Sequence, residues 1–321
     1  MNVGDDSVLK YALYRIALLV PLLLGVSVLT FLYIQVIPGD PVAGLLGPGG
    51  TPELIAQLRH QFGLDQPVLT QYWHWLSNLI AHGDLGTSFT SRQKITPTLV
   101  NRIPATLQLT VVGLAFTVLL GWPLGFLAAL FKDTWMDRAL SSLTLVGLST
   151  PMFWVGTLLI LIFAMHLRWL PAGGYVPLAV DPLNSIKDSL MPGLAMGIGL
   201  APYLARMTRA TTVEVQHEQF VRHAPAKGLR RRTVFLRYSA RNAVPPTVVV
   251  IGLQLGSLLG GQVIVEQLFN WPGLGRLLIQ GAIQRDYYMV QAVILVIAAL
   301  YVLLNLLAEL ITAALDPRIR L

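Results

Sequence analysis

The sequence predicts an all-α membrane protein with six transmembrane helices and a partly helical outer loop between the first two. Of its 321 residues, 54% are hydrophobic and only 12% are charged, and the mean hydropathy is +0.63. A soluble fold cannot cover so much apolar surface with so few polar groups. Charges are also absent from six windows, and about 20 apolar residues cross a ~30 Å hydrocarbon core as a helix. The windows are residues 16–39, 103–131, 139–167, 189–205, 242–265 and 287–308.

The first and fourth windows need separate justification. Residues 16–39 are longer than the apolar region of a signal peptide, and no small-residue cleavage signal follows them, so we expect a retained helix. Residues 189–205 form the shortest window and are rich in proline and glycine. A helix tolerates these residues when neighbouring helices cover its backbone.

The loop at 40–102 is too long to be a simple connection, so we expect it to have structure of its own. TPELIAQLRHQFG begins with a capping Thr51 and ends at Gly63, which predicts a short helix. QPVLTQYWHWLSNLIA has aromatic and aliphatic residues at helical spacing, which predicts an amphipathic helix.

The distribution of basic residues predicts that both termini lie in the cytoplasm. Fifteen of the 23 Lys and Arg residues lie in one alternate set of connecting segments, and nine of these lie between Arg206 and Arg241. The 40–102 loop has four basic and four acidic residues. We therefore expect a cytoplasmic N-terminus and first helix at 1–39, an extracytoplasmic subdomain at 40–102, and a five-helix core at 103–321 with a cytoplasmic loop at 206–241.

The sequence contains no recognisable catalytic or metal-binding pattern. No Lys is followed by Ser or Thr, which excludes the phosphate-binding loop of ATPases. There is also no helical pair of metal-binding histidines, no serine elbow and no pair of catalytic carboxylates. Because the windows contain almost no ionisable residues, a proton-coupled transporter is disfavoured. Neutral polar residues remain as candidates for lining an aqueous pathway, among them Ser149, Gln254 and Gln262.

Three glycines in the fifth window, Gly252, Gly256 and Gly260, are spaced four residues apart. Small residues at this spacing allow the backbones of two helices to approach closely. The spacing fits contact with a partner helix and internal packing equally well. The same interval separates Gly121 from Gly125 and Gly193 from Gly197.

Eight short motifs occur in order along the whole chain, namely IPGDPV (37–42), FGLDQP (62–67), GDLGTSF (83–89), STPMFWVG (149–156), LPAGG (170–174), WPGLGRLL (271–278), RDYYMVQ (285–291) and DPRIRL (316–321). Together they resemble the membrane permease subunit of bacterial ABC importers of the dipeptide, oligopeptide and nickel class. The resemblance implies a type I ABC-importer permease fold in the bacterial inner membrane. The implied partners are a second similar permease, two ATPases that bind ATP and Mg, an extracytoplasmic binding protein and lipid, with no nucleic acid and no cofactor on this chain.

The same resemblance covers the basic cytoplasmic loop. FVRHAPAKGL at 220–229 is similar to the family pattern Tyr-Val-Arg-Thr-Ala-Arg-Ala-Lys-Gly-Leu, which implies a coupling helix held in a groove of the ATPase. Basic side chains there are expected to pair with acidic groups on the ATPase, whereas Arg230 to Arg232 are also explained by contact with anionic lipid. The implied coupling residues are Phe220, Arg222, His223, Ala224, Pro225, Lys227, Gly228 and Leu229.

Pro225 is the largest departure from the family pattern, which has Arg at this place. Proline inside a helix costs around 3 kcal/mol and shifts the preceding residue towards extended geometry. We therefore predict that the coupling helix either breaks at Ala224 or restarts with Pro225 in its first turn.

These observations predict a permease subunit, not an enzyme, that forms half of an import pathway for dipeptides or oligopeptides. The alternatives are import of nickel complexes, glutathione or another small solute, a secondary transporter that needs no ATPase, and an intramembrane enzyme.

Overall fold

The computed structural model describes residues 5–36, 51–61 and 63–315, and helices dominate these residues. Within this part of the chain, Thr87 and Lys94 form an isolated antiparallel bridge. The helices are α1 (Asp5–Val36), α2 (Pro52–Gln61), α3 (Val68–His82), α4 (Ile95–Leu130), α5 (Trp135–Ser149), α6 (Met152–His166), α7 (Pro182–Gln216), α8 (Gln219–Arg222), α9 (Arg231–Leu268), α10 (Leu274–Ile283) and α11 (Tyr287–Leu315). Segments Ile160–His166 of α6 and Val234–Ala240 of α9 have π-helical hydrogen bonding.

The apolar spans agree only in part with the six predicted windows. Three helices are long and apolar enough to cross a membrane, namely α4, α9 and the Tyr287–Leu310 part of α11. The pair α5 and α6 adds a fourth span if both helices are counted together. The described residues therefore confirm a mostly helical membrane fold with three or four such spans. The windows at 16–39 and 189–205 fall largely within α1 and α7, respectively.

The third window, 139–167, is not the single helix that we predict from its length. Helices α5 and α6 are bent by 99° at the break between them. Thr150, which precedes a proline, is extended (φ −93°, ψ 122°), and so is Pro151 (φ −64°, ψ 137°). Because proline disfavours helical geometry in the residue before it, Thr150 ends α5, and α6 begins anew after Pro151.

Both helices predicted in the 40–102 loop are present. The Thr51 hydroxyl accepts a hydrogen bond from the Leu54 amide (3.3 Å) and caps α2, as predicted. Helix α3 buries Trp75 and Leu76, and it ends at Gly83, whose left-handed backbone (φ 62°) is ordinary for glycine.

The chain packs as two compact units. The larger unit is built on Leu107–Trp271 and includes the part of α11 that follows Val302. The smaller unit combines Leu13–Thr106 with Pro272–Val302. This division follows packing, whereas the domains expected from the sequence follow membrane topology.

Within the larger unit, glycines allow α4 and α7 to touch at their backbones. A Cβ atom on Gly197 would lie 2.4 Å from Phe116 Cβ, and one on Gly125 would lie 2.5 Å from the Ala205 carbonyl oxygen. No larger residue fits at such separations. Gly121 and Gly193 make similarly close contacts between the same two helices.

The glycine series of α9 has two different environments. A Cβ on Gly252 would lie 2.9 Å from Ala308 Cβ of α11, so Gly252 serves internal packing. Gly256 is half-buried, whereas Gly260 is exposed and has no atom within 4 Å of its Cβ position. The end of the series at Gly260 is therefore exposed on the surface of this chain.

One ion pair joins α5 to α7. The Arg209 guanidinium donates from Nε and Nη2 to the two carboxylate oxygens of Asp137, both at 2.7 Å. Asp137 is 4% exposed and also accepts from the Asp133 amide at 3.0 Å. This two-pronged geometry fixes orientation as well as distance.

We predict that Gly125→Ala destabilises the protein, because the added methyl group has no space against Ala205. Overpacking lowers the free energy of unfolding by about 1–3 kcal/mol, which corresponds to a fall in Tm of at least about 2 °C. The measurement is thermal unfolding of the purified chain in detergent. Gly260→Ala is the matched control and should leave Tm unchanged or slightly higher. Equal Tm values for the two variants would contradict close packing at Gly125.

We also predict that Asp137→Asn destabilises the protein, since it leaves Arg209 without its carboxylate. The Arg209 side chain is 33% exposed, so water offsets part of the lost interaction. We expect the free energy of unfolding to fall by about 1–3 kcal/mol. Asp133→Asn, at an exposed neighbouring residue, serves as the control in the same unfolding assay. A Tm that falls equally in both variants would show that the ion pair has no special role.

Candidate coupling site

The loop between α7 and α9 contains a broken helical segment at the position of the predicted coupling helix. Helix α8 spans only Gln219–Arg222, and a 3₁₀ turn follows at Pro225–Lys227. The last α-type bond in this segment runs from the His223 amide to the Gln219 carbonyl, at 3.0 Å. The structure thus confirms that the helix breaks and that a new turn begins with Pro225.

The conformation of Ala224 differs from our expectation. We expect extended geometry before a proline, but Ala224 is helical (φ −61°, ψ −40°). Its amide donates to the Val221 carbonyl and its carbonyl accepts from the Lys227 amide, both at 3.2 Å. Because both backbone groups of Ala224 are bonded in this conformation, they offset the steric preference that proline imposes.

Gly228 ends the 3₁₀ turn in the left-handed region, with φ 78° and ψ 11°. Its amide donates to the Pro225 carbonyl at 2.9 Å. No atom lies within 4 Å of its Cβ position. Glycine is therefore required here by backbone conformation and not by lack of space.

Buried apolar side chains anchor the loop to the larger unit. Val221, Ala224 and Val234 are 5%, 3% and 8% exposed and pack together. Val215, Leu229 and Tyr238 are partly buried against them. Of the predicted coupling residues, Ala224 and Leu229 therefore belong to the anchor.

The other predicted residues form an exposed face. Phe220 is 48% exposed, and Arg222, His223, Pro225, Lys227 and Gly228 are exposed as well. Arg230 to Arg232 continue the exposed positive charge along the chain. An aromatic ring beside several cations, on a firmly anchored loop, is a surface suited to an acidic protein groove.

The motif does not single out Val221 or Val234, although both hold the loop in place. The signal available in the sequence is the spacing of Val221 and Ala224, which puts two apolar side chains on one face of a short helix. Val234 packs against this loop from the following helix, and nothing in the sequence around it predicts this contact.

The three residues predicted to line a pathway have different surroundings. Ser149 is exposed at the end of α5, where its hydroxyl donates to the Leu145 carbonyl at 3.1 Å. Gln262 is 2% exposed and accepts from the Thr110 hydroxyl at 3.0 Å. Gln254 is 5% exposed, and its amide nitrogen lies 3.4 Å from the Leu200 carbonyl oxygen. Both glutamines thus bond within the chain, and a role in a pathway stays a prediction for all three.

Comparison with known proteins covers nearly the whole chain. Residues 121–321 match the family described as binding-protein-dependent transport system inner membrane component, and residues 8–110 match its N-terminal counterpart. The chain is 40% identical over 312 residues to the glutathione transport system permease protein GsiC of Salmonella choleraesuis (strain SC-B67), with 97% of this chain and 99% of that protein covered. The same figures hold for GsiC of Escherichia coli (strain K12).

The structure also resembles that of the inward-facing MetNI methionine ABC transporter. The TM-score is 0.59 at 19% identity, with 69% of this chain and 98% of that chain covered. At this identity the likeness establishes the fold alone, and it agrees with the predicted type I ABC-importer permease fold. The sequence matches confirm the prediction of a permease as opposed to an enzyme. The chain therefore belongs to the family of binding-protein-dependent transport system inner membrane components, and it is a permease subunit of an ABC importer of the dipeptide, oligopeptide and nickel class.

Proposed function

We propose that this permease forms half of a translocation pathway for short peptides, which an extracytoplasmic binding protein delivers. The observation that carries the proposal is the loop at 219–229. It combines an exposed aromatic and basic face with a buried apolar anchor, in a chain that matches the permease family along its length.

The proposed assembly contains a second similar permease, two ATPases that bind ATP and Mg, and the binding protein. We place the chain in the bacterial inner membrane with six spans and both termini in the cytoplasm. The strongest support for this orientation is the concentration of basic residues at 206–241. The 40–102 segment then faces outward, and the domain boundaries predicted from the sequence apply.

In this proposal, the exposed face at Phe220, Arg222 and Lys227 docks in an acidic groove of the ATPase. His223, Pro225 and Gly228 shape the same face. When two ATPases close on ATP, the docked loop moves with them. The rest of the larger unit follows the loop, because Val221 and Ala224 pack the loop against it. The Arg209–Asp137 pair carries the displacement from α7 to α5. Alternating access follows if this displacement opens the pathway outward.

The pathway itself is proposed to form between the two permeases. Ser149 is exposed and is available to line it directly. Gln254 and Gln262 would contribute after a rearrangement that frees their amide groups. Gly260 is a contact point for a helix of the second permease, since its surface is open.

Peptides are the primary substrate class in this proposal, and glutathione is the second candidate. The specific observation in favour of glutathione is the 40% identity to permeases of glutathione transport systems. Glutathione is itself a small peptide with free carboxylates, so both candidates require recognition of amide and carboxylate groups. Nickel complexes and other small solutes remain alternatives.

We predict that Gly228→Val leaves the protein in the membrane but reduces both substrate uptake and coupled ATP hydrolysis. A β-branched residue in the left-handed conformation costs on the order of 1–2 kcal/mol, which distorts the turn at the exposed face. The measurement is uptake by the complete transporter in proteoliposomes, together with its substrate-stimulated ATPase rate.

Gly228→Asn is the matched control, because asparagine tolerates the left-handed region. It should retain most of the activity at equal expression. Wild-type uptake by Gly228→Val, with the variant present at a normal level, would remove the coupling role of this turn.

The substrate assignment is tested by uptake of radiolabelled tri-alanine into the same proteoliposomes. We expect uptake to require both ATP and the binding protein. Unlabelled peptides should reduce the uptake of the labelled peptide by competition. Uptake of radiolabelled glutathione in the same assay, with no uptake of tri-alanine, would replace peptides with glutathione as the substrate. Uptake that proceeds without ATPase subunits would instead identify a secondary transporter.

A further inference from the structure

The smaller unit contains a cavity of about 660 Å³ that has no part in the proposed coupling mechanism. This volume falls in the range of roughly 300–1,000 Å³ that is usual for small-molecule sites. Its walls come from the end of α2 and the turn after it, from α3, from the turn before α4, and from Tyr288 of α11. Four separate segments therefore converge on one concave surface.

The cavity lining is basic. Arg92, His60 and His74 contribute to it, and the part of the lining that the structure describes includes no carboxylate. Arg92 forms no ion pair with any residue in the described ranges. Such a lining attracts an anion and disfavours a free cation.

One acidic residue on a neighbouring segment, Asp84, is already engaged. Asp84 accepts from the Gly86 amide at 2.9 Å and pairs with Lys94 at 3.3 Å. The Gly86 amide lowers the pKa of the Asp84 carboxyl most, and Lys94 lowers it further. Asp84 therefore stays ionised and bound to these groups at neutral pH. It does not pair with Arg92, which stays available to a ligand.

The turn that carries Arg92 is built in advance of any ligand. Arg92 has a left-handed backbone (φ 54°), which residues other than glycine rarely adopt. Its amide donates to the Ser88 carbonyl at 3.0 Å. The buried carboxylate of Asp286 accepts from the Ser88 hydroxyl and from the amides of Phe89 (3.2 Å) and Thr90 (3.4 Å). These bonds hold the turn in its unusual conformation.

The remaining lining suits a molecule that has both amide and apolar groups. Gln66, Gln71 and Asn78 supply side-chain amides, and Trp75 and Tyr288 supply aromatic surface. Gln71 donates to the Gln66 carbonyl at 2.7 Å and to the Leu64 carbonyl at 3.3 Å, which fixes the turn that forms one wall and leaves the side-chain oxygen of Gln71 for a ligand. Phe89 stacks on Tyr288 with ring centroids 4.5 Å apart and so fixes the position of the Tyr288 ring. A simple inorganic anion would satisfy Arg92 but leave these groups unused.

We propose that this cavity is a binding site for a short peptide with a free carboxylate. Arg92 receives the carboxylate, the Gln and Asn side chains bond to peptide groups, and the aromatic residues contact an apolar side chain. The proposal rests on the proposed function only in taking the bound peptide to be a transported substrate. It adds a substrate contact on the permease itself, outside the predicted pathway residues.

The test measures equilibrium binding of radiolabelled tri-alanine to the full chain in lipid nanodiscs. The comparison ligand is the same peptide with an amidated C-terminus, and inorganic phosphate serves as a competitor. We expect the free carboxylate to strengthen binding by about 10-fold or more, as is usual for a charge-assisted bond to Arg. Phosphate should compete weakly.

Arg92→Gln should lower the affinity for tri-alanine by a similar factor. The affinity of Arg92→Lys should lie between those of the wild type and Arg92→Gln. Arg285→Gln is the matched control, because Arg285 is also an exposed arginine with a left-handed backbone (φ 56°) and is not part of the lining. Equal affinity of the Arg92→Gln and Arg285→Gln chains would overturn the proposal. Equal binding of the acid and amide forms of the peptide would also overturn it. So would an Arg92→Gln chain that binds the binding protein more weakly but binds the peptide with unchanged affinity.

The same experiment separates this site from the proposed function. Peptide uptake by the complete transporter without measurable binding to this cavity would overturn the site and leave the function standing. Binding that depends on Arg92, in a transporter that does not import peptides, would support the site and refute the peptide substrate.

Discussion

Contact between the backbones of α4 and α7 is the constraint on which the larger unit depends. Lipid is as apolar as the helices, so burial of apolar surface does not drive their association in a membrane, and close packing must do so. At Gly125 and Gly197 the facing helix occupies the space of a side chain. Contacts from Gly147 to Pro202 and from Gly199 to Met152 bring α5 and α6 against the same α7. Helix α7 is therefore the element against which α4, α5 and α6 all pack.

This position of α7 bears on the proposed coupling role of the loop at 219–229. The loop begins where α7 ends, at Gln216, and its apolar anchor includes Val215 of α7 and Val234 of α9. In the proposed mechanism, a force on Phe220 or Arg222 would be transmitted through these packed side chains and would not depend on a long coupling helix. Pro225 shortens that helix to one turn, but the buried Val221 and Ala224 supply the rigidity that helix length would otherwise give.

Local rules predicted much of this structure, and they failed where contacts between distant residues decide. The helices of the 40–102 loop, the break at Pro225 and the glycine turn at 228 all follow from caps, proline and glycine. The bend at Thr150 and Pro151 followed the same rule, but the apolar character of the whole window concealed it. Pairing of Asp137 with Arg209 joins residues 72 positions apart, and one sequence contains no signal for it. The internal bonds of Gln254 and Gln262 were equally hidden, because a polar residue in a span looks the same whether it lines a pathway or packs inside.

Asp286 illustrates how a distant residue can create a site that the sequence does not suggest. It accepts hydrogen bonds from Ser88, Phe89, Thr90 and Met289, and these bonds satisfy its buried side-chain oxygens. Three of these partners lie in the turn before α4, so a carboxylate at the start of α11 determines the shape of a turn almost 200 residues earlier. Arg92 is held at the end of that turn in a conformation that its own sequence disfavours. Because the backbone conformation exists before a ligand arrives, a peptide carboxylate would meet a turn that is already formed, and binding would avoid the entropy cost of ordering that turn.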